Sequence, residues 1–239
     1  MRTCRLPVAW LAAGLFAVAV LGRATAADKP ETTADSPKAD ELLGRPLFDG
    51  ESLKNWKATD FGREGKVEVK DGLLIIGMGE PMTGVTWTGG EIPTVDYELR
   101  LEAKRVEGSD FFCGLTFPVG ENHCSLILGG WGGSLTGLSS INYLDASENE
   151  TSDFYDFEAD KWYKVRIRVT QQKIEAKLGD VTLADVEYTD KKIGIRFEME
   201  PSKPLGIATY RTTGAIRNFR LINLDENGKP IKDRTPRPE

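Results

Sequence analysis

The sequence predicts an all-β fold, a sandwich of two antiparallel sheets, from three observations. Short segments alternate apolar and polar residues, as strands with one buried face do. Gly, Asp and Pro turn signals separate those segments. No window of helical length sustains a 3.6-residue apolar period, and no internal repeat marks a propeller or solenoid.

The elements follow in chain order. Met1 to Ala26 reads as an export signal: Arg2 and Arg5 come first, Leu6 to Leu21 is apolar, and Ala24-Thr25-Ala26 fits a small-residue cleavage site. That run is shorter than the roughly 20 residues of a spanning helix. The mature chain is therefore expected to be exported, periplasmic or extracellular, with no membrane insertion. Residues 27–44 form a polar spacer with little to bury against its ordering entropy. Residues 45–224 read as one domain, and 225–239 as a charged, proline-bearing loose tail.

Within the domain, Leu47, Phe48, Leu53 and Trp56 surround an Asp49-Gly50 turn and suggest a folded edge on the core. Lys66 to Ile76 reads as a hairpin turning at Asp71-Gly72. Gly84 to Trp87 is a short strand. In Tyr97 to Lys104, Tyr97, Leu99, Leu101 and Ala103 share one face, and Glu98, Arg100, Glu102 and Lys104 the other. Further strands are expected at 111–119, 123–130, 162–170, 173–179, 181–188 and 193–199, with a final pair from 205 to 224.

Lys and Arg number 31 against 37 Asp and Glu, a net charge of −6, which argues against a nucleic-acid binder. Of three cysteines, Cys4 leaves with the signal, so the fold is not disulfide-built.

Three segments carry a family resemblance. They are Leu47-Phe48-Asp49-Gly50-Glu51-Ser52-Leu53-Lys54-Asn55-Trp56, Asp96-Tyr97-Glu98-Leu99-Arg100-Leu101-Glu102, and Ala215-Ile216-Arg217-Asn218-Phe219-Arg220-Leu221. In order and spacing the set resembles the 3-keto-disaccharide hydrolases, a bacterial family of exported proteins. The resemblance implies a concanavalin/laminin-G-like jelly roll with a sugar-accommodating sheet, acting on glycosides already oxidised at carbon 3. Such chemistry needs a base of suitable pKa and a cation or hydrogen-bond donor at the enolate oxygen. The sequence departs from the family in one place. Many members carry an Asp-His-Gly turn before the last strand, whereas Thr209-Tyr210-Arg211-Thr212-Thr213 has no histidine. That departure favours the competing reading, a noncatalytic glycan-binding module of the same fold.

The candidate site lies between Ser109 and Phe157. A hairpin pairing Pro118 with His123, Thr116 with Ser125 and Gly114 with Ile127 puts Phe111, Cys113, Leu115, Phe117, Cys124, Leu126 and Leu128 on a core face. It leaves Phe112, Gly114, Thr116, His123, Ser125 and Ile127 on the other, continued by Trp131, a mixture suited to sugar. In this register the two cysteines are too far out of step for a disulfide. His123 is the one histidine and the candidate base, with Asp110 and Glu121 as carboxylates able to orient or replace it; a surface histidine is the plain alternative. Arg100, Arg166, Thr116, Ser125, Phe112, Trp131 and Glu148 are the candidate sugar contacts. The acidic stretch from Asp145 to Asp153 is either a solvated turn, a lid carrying Glu148, or an oxygen-rich Ca²⁺ site. No His-x-His or Cys-x-x-Cys spacing supports a histidine-based metal site. The expected partner is a carbohydrate, either an oxidised disaccharide or a glycan.

Overall fold

A computed structural model describes residues 43–231. The expected signal, most of the spacer and the end of the tail lie outside the described residues. The first strands are β1 (Arg45–Pro46), β2 (Trp56–Ala58), β3 (Val67–Lys70), β4 (Leu73–Ile76) and β5 (Met82–Trp87). Next come β6 (Tyr97–Gly108), β7 (Cys113–Val119), β8 (Asn122–Gly130), β9 (Leu135–Ser139) and β10 (Asp153–Phe154). The chain finishes with β11 (Tyr163–Val169), β12 (Lys173–Leu178), β13 (Val181–Glu187), a 3₁₀ helix (Phe197–Ser202), β14 (Gly206–Tyr210) and β15 (Thr212–Asn223).

These strands form two antiparallel sheets, the jelly-roll sandwich expected. One runs β13-β12-β11-β6-β15-β4-β3, with β1 also paired to β15; the other runs β10-β9-β8-β7-β14-β5-β2. Between them lies one apolar core, including Leu99, Leu101, Val165 and Ile167 from the first sheet and Leu115, Phe117, Leu126 and Ile207 from the second. The buried Tyr97 hydroxyl donates to the Pro118 carbonyl at 2.6 Å, tying β6 to β7.

Local chemistry places the turns. Asp71 (φ 52°) and Gly72 (φ 79°) both take the left-handed conformation that joins β3 to β4 tightly. Asp49 accepts the Glu51 and Ser52 amides at 2.8 Å each, folding the opening edge so that Trp56 Nε1 reaches the Leu47 carbonyl, also at 2.8 Å. Residues 225–231 make backbone hydrogen bonds: Ile231 N donates to Asn223 O, and Asp225 N to Lys229 O.

The β7–β8 register is the expected one, with Pro118 opposite His123, Thr116 opposite Ser125 and Gly114 opposite Ile127. Cys113 and Cys124 are buried free thiols. Two expectations fail. Residues 193–199 are no ladder strand: Ile193 makes an isolated bridge to Ile141, and Phe197 opens the 3₁₀ helix. This segment crosses the outer face of the second sheet rather than joining an edge: Met199 packs with Met82 and Ala208, and the Pro201 carbonyl accepts from Thr86 Oγ1. Phe112 is in the core, fully buried, whereas Phe111, expected in the core, packs on the outer face. The alternation fails there because β7 starts only at Cys113, and the chain turns before it.

Candidate functional site

The outer face of the second sheet is built in rows. Thr86, Gly206, Thr116, Ser125 and Ser139 align across five strands. The next row is Gly84, Ala208, Gly114, Ile127 and Gly137. The hydroxyl row is covered where the 3₁₀ helix passes: Thr86 Oγ1 donates to the Pro201 carbonyl at 2.9 Å. Thr116 and Ser125 are fully buried and hydrogen-bond each other at 2.8 Å, so neither hydroxyl is open to a sugar.

The small row leaves room for aromatic rings. A Cβ on Gly114 would lie 3.1 Å from the Phe111 ring, which itself packs at 5.7 Å, centroid to centroid, from Tyr210. Met199 of the 3₁₀ helix joins Met82 and Ala208 in a satellite cluster packed by Phe111 and Tyr210. The result is a cleft of about 300 Å³ lined by Phe111, Tyr210, Trp131, Asp110, Arg196 and Glu198, together with Met82, Met199, Ile127 and Ser139. Ser139 is only 1% exposed, and its Oγ has no hydrogen-bond partner.

Trp131 stands at the rim because its loop is fixed from below. Arg105 Nη2 donates to the Gly133 carbonyl at 2.6 Å, and the guanidinium lies over the Phe112 ring at 5.3 Å. Gly129 (φ 76°) takes a left-handed conformation that side chains disfavour, and a Cβ there would also displace Arg105 Nη2. Asp110 closes the loop from the cleft side: its carboxylate accepts the Phe111 amide at 2.8 Å and the Gly132 amide at 3.3 Å.

Arg196 is the cleft's cation. It donates to Glu198 through Nε at 3.3 Å and Nη2 at 2.9 Å, and through Nη1 to Asp145 at 2.6 Å. Its hydrogen bond holds the Glu198 carboxyl below the ordinary carboxylate value. At Asp145 burial acts the other way, yet hydrogen bonds from Ser147 and Arg196 leave its pKa lowered as well.

His123 lies elsewhere on this face. It lines a second cleft with Glu121, Tyr143, Lys192, Glu200 and Lys203. Its β8 position is four residues from Ile127, or about 14 Å along the strand. Burial first, then Lys203, lower its pKa, against the opposing charge of Glu200. His123 and Glu121 are thus in one cleft, Asp110 and Trp131 in the other.

Arg100 and Arg166 are on the outer face of the opposite sheet, directly cross-strand. Their positions follow from the alternation that buries Leu99 and Val165. Both reach the buried Glu98 carboxylate, at 2.5 and 3.9 Å, and Arg168 joins them at 2.7 Å. Phe111 takes the place expected for Phe112.

The acidic stretch is organised by Asn149 together with the Asp145 carboxylate, which accepts Ser147 N and Oγ. Asn149 Nδ2 donates to the carbonyls of Leu138, Leu144 and Asp145, and its Oδ1 accepts Thr151 N and Oγ1. Glu148 is exposed and lines neither cleft. Among the described residues no group of three or more His, Cys, Asp or Glu could hold a metal ion. No helix among them is long and apolar enough to cross a membrane.

Sequence reasoning did not find Arg196, Glu198, Phe111 or Tyr210. The alternation around Arg196 and Glu198 reads equally as a ladder strand, so no signal in the sequence separated them.

A profile described as the 3-keto-alpha-glucoside-1,2-lyase-like domain matches residues 44–222. No curated protein matches. Among solved structures, a Bacillus subtilis protein of unknown function with a galectin-like fold is similar at TM-score 0.53 and 11% identity, covering 75% of this chain and 94% of its own. The carbohydrate binding module CBM66 from Bacillus subtilis gives 0.47 at 10% identity, covering 70% and 94%. A Crh5 transglycosylase in complex with NAG gives 0.49 at 11% identity, covering 80% and 94%.

Proposed function

The chain belongs to the 3-keto-alpha-glucoside-1,2-lyase-like domain family, and from that membership we propose a carbohydrate-active protein that cleaves 3-keto-glycosides in the Trp131–Glu198 cleft. The observation that carries this reading is a guanidinium–carboxylate pair, Arg196 and Glu198 at 2.9 Å, beside aromatic walls of Phe111, Tyr210 and Trp131. Aromatic planes stack on sugar rings, and the few polar groups orient them.

The reaction follows from the ketone. A C3 carbonyl acidifies the C2 proton, which Glu198 takes. Arg196 stabilises the negative charge that develops on the C3 oxygen. The enolate electrons then expel the C1 oxygen substituent, which leaves with a proton. Water adds across the resulting C1–C2 double bond, hydroxide to C1 and proton to C2, completing hydrolysis. Glu198, rather than His123, is the base in this scheme, because His123 lines the other cleft.

One observation favours a second reading, a noncatalytic glycan-binding module. The Arg196 hydrogen bond keeps Glu198 ionised at neutral pH, but it also weakens that carboxylate as a base. Release of the aglycone from a 3-keto-glucoside separates the two. The wild type turns over, Glu198→Gln loses about 10²- to 10⁴-fold in kcat, and Trp131→Ala raises KM. An inert wild type that still binds glycan through Trp131 establishes the binding module. Equal turnover by wild type and Glu198→Gln removes the base assignment. Export belongs to the same reading: N-terminal sequencing of protein recovered from periplasm or medium should begin at Ala27.

A further inference from the structure

Among the described residues, four large aromatics are exposed: Trp131, Tyr143, Phe154 and Phe197, at 48, 86, 71 and 85%. All four belong to the second sheet or to segments on it. Trp131 is in the β8–β9 loop, Tyr143 follows β9, and Phe197 begins the 3₁₀ helix. Phe154 pairs with Leu135, whose side chain packs with Ile127 on the outer face.

Two of the four are held against backbone preference. Trp131 (φ 48°), and Tyr143 (φ 67°) with its neighbour Asn142 (φ 51°), sit in the left-handed region, which disfavours side chains. The Tyr143 loop is pinned by Asn142 N donating to Lys192 O at 2.7 Å and Lys192 N donating to Asn142 Oδ1 at 2.9 Å. Tyr143 stands over the second cleft, about 290 Å³, with His123, Glu121, Lys192, Glu200 and Lys203. The 3₁₀ helix serves both clefts: Glu198 lines the first, Glu200 the second, and Phe197 is exposed beside them.

Here separate aromatic planes alternate with charged hydrogen-bonding groups, the chemistry that recognises sugar rings one at a time. We propose that this face is a two-subsite track for an extended glycan, one ring on Trp131 and a later one on Tyr143, the chain between them crossing Phe197. Its ligand is an oligosaccharide longer than a disaccharide. The inference rests on the carbohydrate reading of the first cleft, and the two fail in different ways.

The test is isothermal titration of the full chain with α-1,4- and β-1,4-linked gluco-oligosaccharides of about two to six units. Affinity should rise with chain length in at least one series. Tyr143→Ala and Phe197→Ala should each remove roughly 2- to 10-fold from the longer ligands while leaving the disaccharide unchanged; Trp131→Ala should weaken every length. Both outer positions are exposed, so thermal melts should match the wild type. Affinity independent of length, or no binding in either series, overturns the track. Length dependence lost in Tyr143→Ala but untouched by Trp131→Ala keeps the second subsite and sinks the first cleft.

Discussion

At His123, burial and the Lys203 charge together disfavour the protonated ring. The folded-state pKa is therefore below the unfolded value near 6.5. Across that interval the unfolded chain binds more protons, so this stability is full above about 6.5 and is lost as pH falls from there through the lower folded-state value. Urea midpoints at about pH 7.5 and 5.5 should show the wild type losing more stability on acidification than His123→Asn; parallel losses would contradict it. Asn149 is the other decisive single residue. Its buried amide joins five hydrogen bonds to Leu138, Leu144, Asp145 and Thr151. Asn149→Ala should destabilise by about 2–3 kcal/mol, because truncation leaves buried partners unsatisfied. The anchoring role of Asn149 is not legible in sequence, since two of its carbonyl partners, Leu138 and Leu144, lie 11 and 5 residues away. Phe111 and Phe112 show the same limit. Alternation extended one step past the strand's start assigns the wrong ring to the outer face.

At the scale of elements, the Gly129–Gly133 loop is a rigid bracket for Trp131, held by Arg105 beneath and Asp110 beside it. Gly129→Ala must accommodate both a left-handed backbone and a collision with Arg105, and should destabilise by more than about 1 kcal/mol. Glycan affinity should fall with it; an unchanged urea midpoint would show that the bracket is soft. The β3–β4 hairpin and the β7–β8 register were readable because an Asp-Gly turn and a strict two-residue period each admit one solution. Leu135 to Ser139 was missed because all five residues are buried and none alternates. Ile193 to Met199 misled in the opposite sense. Ile195 and Met199 pack onto a sheet face while Phe197 is exposed, yet the same alternation would suit a strand within a sheet. Arg196 and Glu198 went unseen for that reason.

Over the whole molecule, the two-sheet architecture was legible from periodicity, because the core needs only one apolar face per strand. The location of chemistry was not, since it depends on which segments cross a face. The core also offers a global probe. Burial pushes the Cys113 and Cys124 thiols up to about 12 and removes them from solvent. Native protein should resist a thiol reagent at neutral pH, and both cysteines should react together with global unfolding in denaturant. Labelling below the unfolding midpoint would contradict this packing. The central claim is that the Trp131–Glu198 cleft removes a proton from C2 of a 3-keto-glucoside. Proton NMR of that sugar in D₂O measures it directly. The account predicts rapid loss of the C2 proton signal with wild type and at least about 10²-fold slower loss with Glu198→Gln; equal rates in the two proteins would contradict it.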